Sequence, residues 1–279
     1  MAYKRVLTIQ DISCVGQCSM TVALPVLSAC GLETCILPTA MLSTHTGGFG
    51  KPHVVHLSDS IVPMARHWQK NDINFDAILV GYLGSIAAVE AVSEILDTML
   101  ASGGVVIVDP AMADNGKLYS GFDDAYMQAI KALCTKADIV IPNLTEAAMM
   151  GDCLYNGDNN GCYVPKSYVN QTLSALSFRR VVLTGVGATE NTTGAAVWED
   201  GSLVYCSHPK LSGSYHGTGD LFAAALTGAY VQGRNLVEAA KIAGNFTYKC
   251  IENTQNAPAH WYGVKFETAL PDLVEMLKK

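Results

Sequence analysis

One short segment combines a glycine-flanked turn with an acidic residue. His216 is followed by Gly217-Thr218-Gly219-Asp220-Leu221-Phe222, and the pattern of a long amphipathic helix comes next. Glycine lets the backbone approach a ligand closely, and the unpaired amides of a first helical turn attract phosphate oxygens. The segment predicts an anion-binding helix N-terminus in which Asp220 serves as a general base. Capping of the helix by Asp220 is the alternative interpretation.

Further acidic residues follow two of the apolar runs. Asp109-Pro110 comes directly after Val105–Val108, and Pro142-Asn143-Leu144-Thr145-Glu146 comes after Ile139–Ile141. Mg²⁺ is commonly held by one or two carboxylates together with phosphates and water, so Asp109 and Glu146 are candidate metal ligands. Asn143 with Glu146 three residues later also fits a capping box, and the two roles are compatible.

The elements that must position these residues alternate along the chain. The nearly continuous apolar runs are typical of strands buried on both faces, and they alternate with helical patterns. Runs of the first kind are Arg5–Gln10, Ala77–Val80, Val105–Val108, Ile139–Ile141 and Val181–Thr184; helical patterns cover Ser85–Leu100, Asp123–Cys134, Ser167–Leu176, Gly219–Gln232 and Leu236–Cys250. We therefore expect an α/β fold in one domain over residues 1–279, with a doubly wound, mostly parallel sheet flanked by helices. A hairpin is predicted from Gly194–Trp198 and Ser202–Ser207 around Asp200-Gly201.

Irregular segments complete the pattern and indicate where a ligand binds. They are Pro38–Pro52, Ala111–Gly121 and Cys153–Val164. Ligands of open parallel sheets bind at the carboxyl ends of the strands, which is where such loops lie.

Composition excludes several classes of protein. The 279 residues are 49% hydrophobic, carry a formal charge of −7 and contain no cluster of Lys and Arg. This argues against a nucleic-acid or membrane partner. The nine cysteines are scattered without a C-x-x-C pair, and no secretory or membrane-spanning run is visible, so a cytoplasmic protein with reduced thiols is expected.

The run Gly217–Ala224 resembles the C-terminal motif of the ribokinase superfamily. The resemblance implies a ribokinase-like fold, an anion hole for the γ-phosphate of ATP at Gly217, Thr218 and Gly219, and Asp220 as the catalytic base. A separate lid domain is not expected, because no spare run of strands lies between Glu33 and Phe75.

Other motifs are similar to those of pyridoxal kinases. They are Gly81-Tyr82-Leu83-Gly84-Ser85, Ser43-Thr44-His45-Thr46, Asp109-Pro110 and Pro142–Ala147. The resemblance implies ATP-dependent phosphorylation of the hydroxymethyl group of a B6 vitamer, with Mg²⁺ as cofactor and a homodimer as assembly; the need for a monovalent cation such as K⁺ stays open. It assigns substrate contacts to Asp11, His45, Thr46, Tyr82 and Asp220, and ATP contacts to Asp109, Asn143, Glu146, Thr184, Thr218 and Gly219.

Two residues depart from the pyridoxal kinase pattern. Asp11 stands where a serine usually meets the substrate ring, and Ile141 stands where many members have a threonine near the metal. A carboxylate can only accept a hydrogen bond, so Asp11 predicts a protonated pyridinium nitrogen. The alternative is that Asp11 turns away and bonds the loop at Ser13.

Three other functions share parts of this pattern. A hydroxymethylpyrimidine kinase has a similar C-terminal motif, but its glycine-rich opening after the first strand is replaced here by Asp11–Cys18. A sugar kinase would add a lid of strands. A catalytically silent nucleotide-binding protein on the same fold is the third, and the joint presence of Asp109, Glu146 and Asp220 argues against it. A P-loop kinase is excluded by the lack of a Walker A motif.

Overall fold

The computed structural model describes residues 3–155, 164–213, 215–257 and 259–278. The predicted loop Cys153–Val164 lies mostly outside these residues. The strands of the main sheet are β1 (Arg5–Ser13), β2 (Glu33–Leu42), β3 (Val54–His56), β4 (Phe75–Val80), β5 (Leu100–Val108), β8 (Ile139–Val140), β9 (Arg180–Thr184), β10 (Thr192–Glu199) and β11 (Ser202–Pro209), and a separate pair consists of β6 (Ala113–Asp114) and β7 (Lys117–Leu118).

The helices are α1 (Met20–Ala29), α2 (Ser58–Gln69), α3 (Ile86–Met99), α4 (Asp124–Cys134), α5 (Leu144–Met150), α6 (Lys166–Ala175), α7 (Thr218–Val231), α8 (Leu236–Thr254) and α9 (Leu270–Lys278). In the part of the chain that the structure describes, none of them is long and apolar enough to cross a bilayer.

The main sheet has the order β11-β10-β9-β8-β5-β4-β1-β2-β3. Strands β2, β1, β4, β5, β8 and β9 run parallel to one another. At the two edges, β3 is antiparallel to β2, β10 is antiparallel to β9, and β11 is antiparallel to β10. The predicted architecture is confirmed: a doubly wound, mostly parallel sheet flanked by helices. Because the strand order reverses between β1 and β4, their carboxyl ends border a crevice.

Successive residues of the central strands point to opposite faces, and each face is covered by helices. Leu7 and Ile9 pack in one core with α2, α3 and α4, whereas Val6 packs in the other with α1, α7 and α8. Burial on both faces explains why these strands read as continuous apolar runs in the sequence.

Two expectations about irregular segments need correction. Residues 54–56 form β3, an antiparallel strand paired with β2 at the sheet edge, in the region where we expected no further strand. The segment Ala111–Gly121 contains the β6–β7 hairpin, which turns at Asn115 and Gly116, both with positive φ. Neither forms a lid domain, since β3 belongs to the main sheet.

Candidate functional site

A cavity of about 700 Å³ lies at the carboxyl ends of the parallel strands. Every candidate site residue named from the sequence lines it: Asp11, His45, Thr46, Tyr82, Asp109, Asn143, Glu146, Thr184, Gly217, Thr218, Gly219 and Asp220. Their order across the sheet follows the strand order, from the loop after β2 through β1, β4, β5 and β8 to the end of β9. Motifs that are distant in the chain therefore form a continuous row of side chains along one edge of the sheet.

The N-terminus of α7 opens into this cavity. Gly217 precedes the helix with a left-handed φ of 74°, and a Cβ at this position would overlap the carbonyl oxygen of Gln17. Both facts restrict the position to glycine. The first-turn amides of α7, at Thr218, Gly219 and Asp220, have no carbonyl of their own helix to bond, which makes this end suited to an anion.

Asp220 lies in the first turn of α7 and borders the cavity. Burial raises the pKa of its carboxyl group to about 6; the backbone N–H of Ser19 opposes the shift and the charge of Asp11 adds to it. A carboxylate with a pKa near the working pH is suited to accept a proton.

Glu146 joins the start of α5 to the segment after β5. It completes a capping box with Asn143: its Oε2 accepts the backbone N–H of Asn143 at 2.9 Å, and Asn143 Oδ1 accepts the backbone N–H of Glu146 at 3.0 Å. The other carboxylate oxygen accepts the backbone N–H groups of Met112 at 2.9 Å and Ala113 at 3.3 Å. The capping interpretation is therefore confirmed, and the same side chain also holds the β6–β7 segment in place.

The acidic residues at this end of the cavity are costly to ionise. Burial raises the pKa of Glu146 to about 7. It also raises the pKa of Asp109, and the charges of Glu146 and Asp220 add to that shift. Among the described residues there is no cluster of three or more side chains placed to hold a metal ion. Buried carboxylates at an open cavity suit a hard cation, because the cation neutralises their charge and takes its other ligands from phosphate oxygens and water.

Asp11 is buried near the end of β1, and its carboxylate accepts a hydrogen bond from the Ser13 hydroxyl at 2.9 Å. Burial raises the pKa of Asp11, while the hydroxyl groups of Ser19 and Ser13 lower it. The contact with Ser13 is the one that the alternative interpretation required. Because Asp11 also lines the cavity, a contact with the substrate ring stays a prediction.

His45 is tied to the backbone through both ring nitrogens. Nδ1 accepts the N–H of Gly47 at 3.0 Å, so Nε2 carries the hydrogen and donates it to the carbonyl oxygen of Tyr262 at 3.0 Å. Burial lowers the pKa of His45, which favours this neutral form. His45 therefore presents carbon atoms to the cavity, and Thr46 beside it has a hydroxyl group that can make a polar contact there.

Tyr82 follows β4 and lies beside a cluster of aromatic rings. Its ring centroid is 5.6 Å from that of Phe122, which stacks on Tyr126 at 3.7 Å. Burial raises the pKa of the Tyr82 hydroxyl to about 12, so it stays a neutral hydrogen-bonding group. An aromatic wall with a neutral polar tip suits a heteroaromatic substrate.

Sequence reasoning missed several residues that line the same cavity. Ser19, His208, His216 and Thr247 all border it. His216 directly precedes the Gly217–Asp220 motif, and this position is the sequence signal that points to it. His208 and Thr247 lie on β11 and α8, where nothing in their sequence context distinguishes them from ordinary strand and helix residues.

Known proteins match this chain over most of its length. The model of the phosphomethylpyrimidine kinase family matches residues 22–264. The pyridoxine/pyridoxal/pyridoxamine kinase of Bordetella pertussis is 27% identical over 271 residues, which are 90% of each protein. The hydroxymethylpyrimidine/phosphomethylpyrimidine kinase of Bacillus subtilis is 27% identical over 186 residues, which are 66% of each.

Solved structures agree with the fold. The pyridoxal kinase of Lactobacillus plantarum superimposes with a TM-score of 0.89 and 33% identity, covering 99% of this chain and 98% of that one. The pyridoxal kinase of Leishmania donovani in complex with ADP and pyridoxamine superimposes with a TM-score of 0.83 and 21% identity, covering 97% and 95%. The second likeness is one of fold.

Proposed function

The chain belongs to the phosphomethylpyrimidine kinase family, and on this premise we propose that it transfers the γ-phosphoryl group of ATP to the hydroxymethyl group of a B6 vitamer. One observation supports the proposal above the others. Asp220 lies in the first turn of the helix whose N-terminus opens into the cavity, and it interacts electrostatically with both Asp109 and Asp11. Phosphoryl transfer requires an acceptor, a positioned phosphate and a base at one point.

The two ends of the cavity have different tasks. The amides at Gly217, Thr218 and Gly219 bind the γ-phosphate, and Asp220 accepts the proton of the attacking hydroxyl group. ATP is the donor, since relatives with this fold were crystallised with ADP. The phosphate chain extends past Asn143 toward Thr184, the last residue of β9.

Mg²⁺ completes the acidic end. We expect Asp109 to bind Mg²⁺ directly, because both carboxylate oxygens of Glu146 already accept backbone hydrogen bonds. When bound, the cation neutralises charge on the phosphates. Glu146 and Asn143 orient the neighbouring backbone and any metal-bound water. Chelation with EDTA should abolish activity, and added Mg²⁺ should restore it; a panel with and without K⁺ tests the monovalent cation.

The chain acts as a single kinase domain and forms a homodimer. The β2–β3 pair at the edge of the sheet supports the dimer, because Met41 on β2 is 42% exposed and Val54 and Val55 on the edge strand β3 are 36% and 46% exposed. A second copy would cover this apolar surface. Light scattering should give twice the chain mass, and Val55→Lys should shift the protein toward the monomer.

Phosphorylation of hydroxymethylpyrimidine is the second candidate function. It is favoured by the Bacillus relative and by the description of the family. The deciding experiment measures ADP formation with pyridoxal, pyridoxine, pyridoxamine, hydroxymethylpyrimidine, ribose or no acceptor. We expect the B6 vitamers to give the highest kcat/KM and ribose to match the rate without acceptor. A higher kcat/KM for hydroxymethylpyrimidine would reverse the assignment.

A further inference from the structure

Ser19 begins α1 in a conformation that serine rarely adopts. Its φ is 53° and its ψ is −127°, in a region that favours glycine. An ordinary helix N-cap has extended dihedral angles and accepts a backbone hydrogen bond with its side chain. Ser85 before α3 does so: its φ is −158° and its hydroxyl accepts the N–H of Ala88. Ser19 departs from this pattern in its backbone.

The side chain of Ser19 departs from it as well. Within the described part of the chain, its hydroxyl group makes no capping hydrogen bond to α1. The first turn of the helix is instead held by its carbonyl oxygen, which accepts the N–H groups of Ala23 at 2.9 Å and Val22 at 3.1 Å. Capping therefore explains neither the serine nor its positive φ.

Ser19 lies in the wall of the cavity, as Asp11 and Asp220 do. The residue is 5% exposed. Its hydroxyl group lowers the pKa of Asp11 and its backbone N–H lowers the pKa of Asp220, so both groups lie near enough to favour the ionised carboxylates. These two carboxylates repel each other, and Ser19 places a neutral donor against each.

We propose that Ser19 is a positioning residue for phosphoryl transfer, whose strained backbone orients Asp220 and whose hydroxyl group orients Asp11. The inference rests on the proposed function for the roles of these two acids. Strain persists at a residue when the surrounding structure fixes it, and Ser19 keeps its positive φ in the wall of the cavity that Asp220 also lines. The backbone N–H and the hydroxyl group of Ser19 are separate groups, so a substitution can alter one and retain the other.

Ser19→Gly removes the hydroxyl group and retains the N–H in a backbone that tolerates positive φ. We expect kcat within about twofold of the wild type and a KM for the acceptor raised about fivefold or more, since Asp11 loses a partner. Ser19→Thr retains the hydroxyl group, but its branched Cβ opposes positive φ. We expect its kcat to fall about tenfold or more, because Asp220 loses its orientation, while the KM for ATP stays unchanged.

Thermal unfolding without ligands measures the strain separately. Ser19→Gly should melt at a higher temperature than Ser19→Ala, and Ser19→Thr at a lower one. Asp123→Ala, which removes an ordinary cap from α4, should lower the melting temperature and leave kcat and both KM values unchanged. The order of the melting temperatures is measured without substrate. A failure of the proposed function can therefore be distinguished from a failure of the inference about Ser19.

Equal losses of kcat in Ser19→Gly and Ser19→Thr would contradict the proposed role of the Ser19 backbone in orienting Asp220. An unchanged acceptor KM in Ser19→Gly would contradict the proposed role of the hydroxyl group in orienting Asp11. Wild-type kinetics in every Ser19 variant, with changes in melting temperature alone, would reduce Ser19 to a residue that begins a helix.

Discussion

The carboxylate of Glu146 accepts the backbone N–H of Met112 at 2.9 Å and thereby fixes the first residues after Asp109-Pro110 against the start of α5. The neighbouring Thr145 hydroxyl accepts the N–H of Gly116 at 3.0 Å, at the turn of the β6–β7 hairpin. One short helix therefore holds both the base and the tip of the segment that borders the acidic end of the cavity. A motif that the sequence presents as a helix cap also organises the site.

Asp220→Asn tests the base. We expect kcat to fall by about a hundredfold to ten-thousandfold, because the amide cannot accept the hydroxyl proton, while calorimetry detects unchanged ATP binding. The matched control is Asp124→Asn, which alters an acid in the first turn of α4 outside the cavity and should leave kcat unchanged. A variant that retains more than about half of the wild-type kcat would show that Asp220 is not the base.

Glu146→Gln tests the acidic end of the cavity. An amide in place of the carboxylate can satisfy fewer of the three backbone N–H groups and carries no charge. We expect the Mg²⁺ concentration for half-maximal activity to rise about tenfold and hydrogen exchange to increase at Met112 and Ala113. Asn235 and Glu238 form a second capping box at the start of α8, outside the cavity, so Glu238→Gln is the control. If both variants retain the wild-type Mg²⁺ dependence, Glu146 acts as a cap and nothing more.

The β6–β7 hairpin is predicted to exclude water from the γ-phosphate, since an enzyme that lets water in would hydrolyse ATP. Within residues 114–121, exposed positions such as Ser120 and Gly121 should exchange amide hydrogens quickly without ligand and more slowly with a non-hydrolysable ATP analogue. Residues 112 and 113 are buried, and the N–H groups of Gly116 and Tyr119 are hydrogen-bonded, so these amides should be protected in both states. Exchange in residues 114–121 that is unaffected by the analogue contradicts this role.

Asp11 is predicted to favour a protonated ring nitrogen in the substrate. Under this hypothesis the affinity of the wild type for pyridoxal weakens as the pH rises above the pKa of the ring, and Asp11→Ser flattens that dependence. Measured KM values across the pH range decide it. Parallel pH profiles for the two proteins would leave Asp11 with its hydrogen bond to Ser13 as its main role.

The sequence predicted the central strands and the residues at their ends, because burial on both faces makes the strands apolar and parallel topology brings their carboxyl ends together. It missed β3, whose three residues are all exposed and lack a buried face. The β6–β7 hairpin was overlooked although Asn115-Gly116 is a tight-turn signal. Ser19 could not have been identified from the sequence, because serine is an ordinary N-cap residue and the proposed role of Ser19 depends on its backbone φ.

The stability of the ligand-free protein should fall as the pH rises from about 4.5 to 7. In the folded protein, burial raises the pKa of Glu146 from 4.5 to about 7 and that of Asp220 from 3.8 to about 6. The folded state then binds more protons than the unfolded state between these values. Stability from this source is complete below the unfolded pKa and is lost as the pH rises through the folded pKa.

For each additional proton that the folded state binds, the free energy of unfolding falls by up to about 1.4 kcal/mol for every unit by which the pH rises. Urea unfolding at pH 5, 6, 7 and 8 measures this slope. Glu146→Gln should flatten it most between pH 6 and 7, where Asp220 contributes less, and Glu238→Gln should retain the wild-type slope because that carboxylate has an exposed position on α8. Bound Mg²⁺ should reduce the slope in the wild type, since a cation stabilises the ionised carboxylates. A slope that is identical in Glu146→Gln and the wild type would show that Glu146 is already ionised in the folded protein at pH 6.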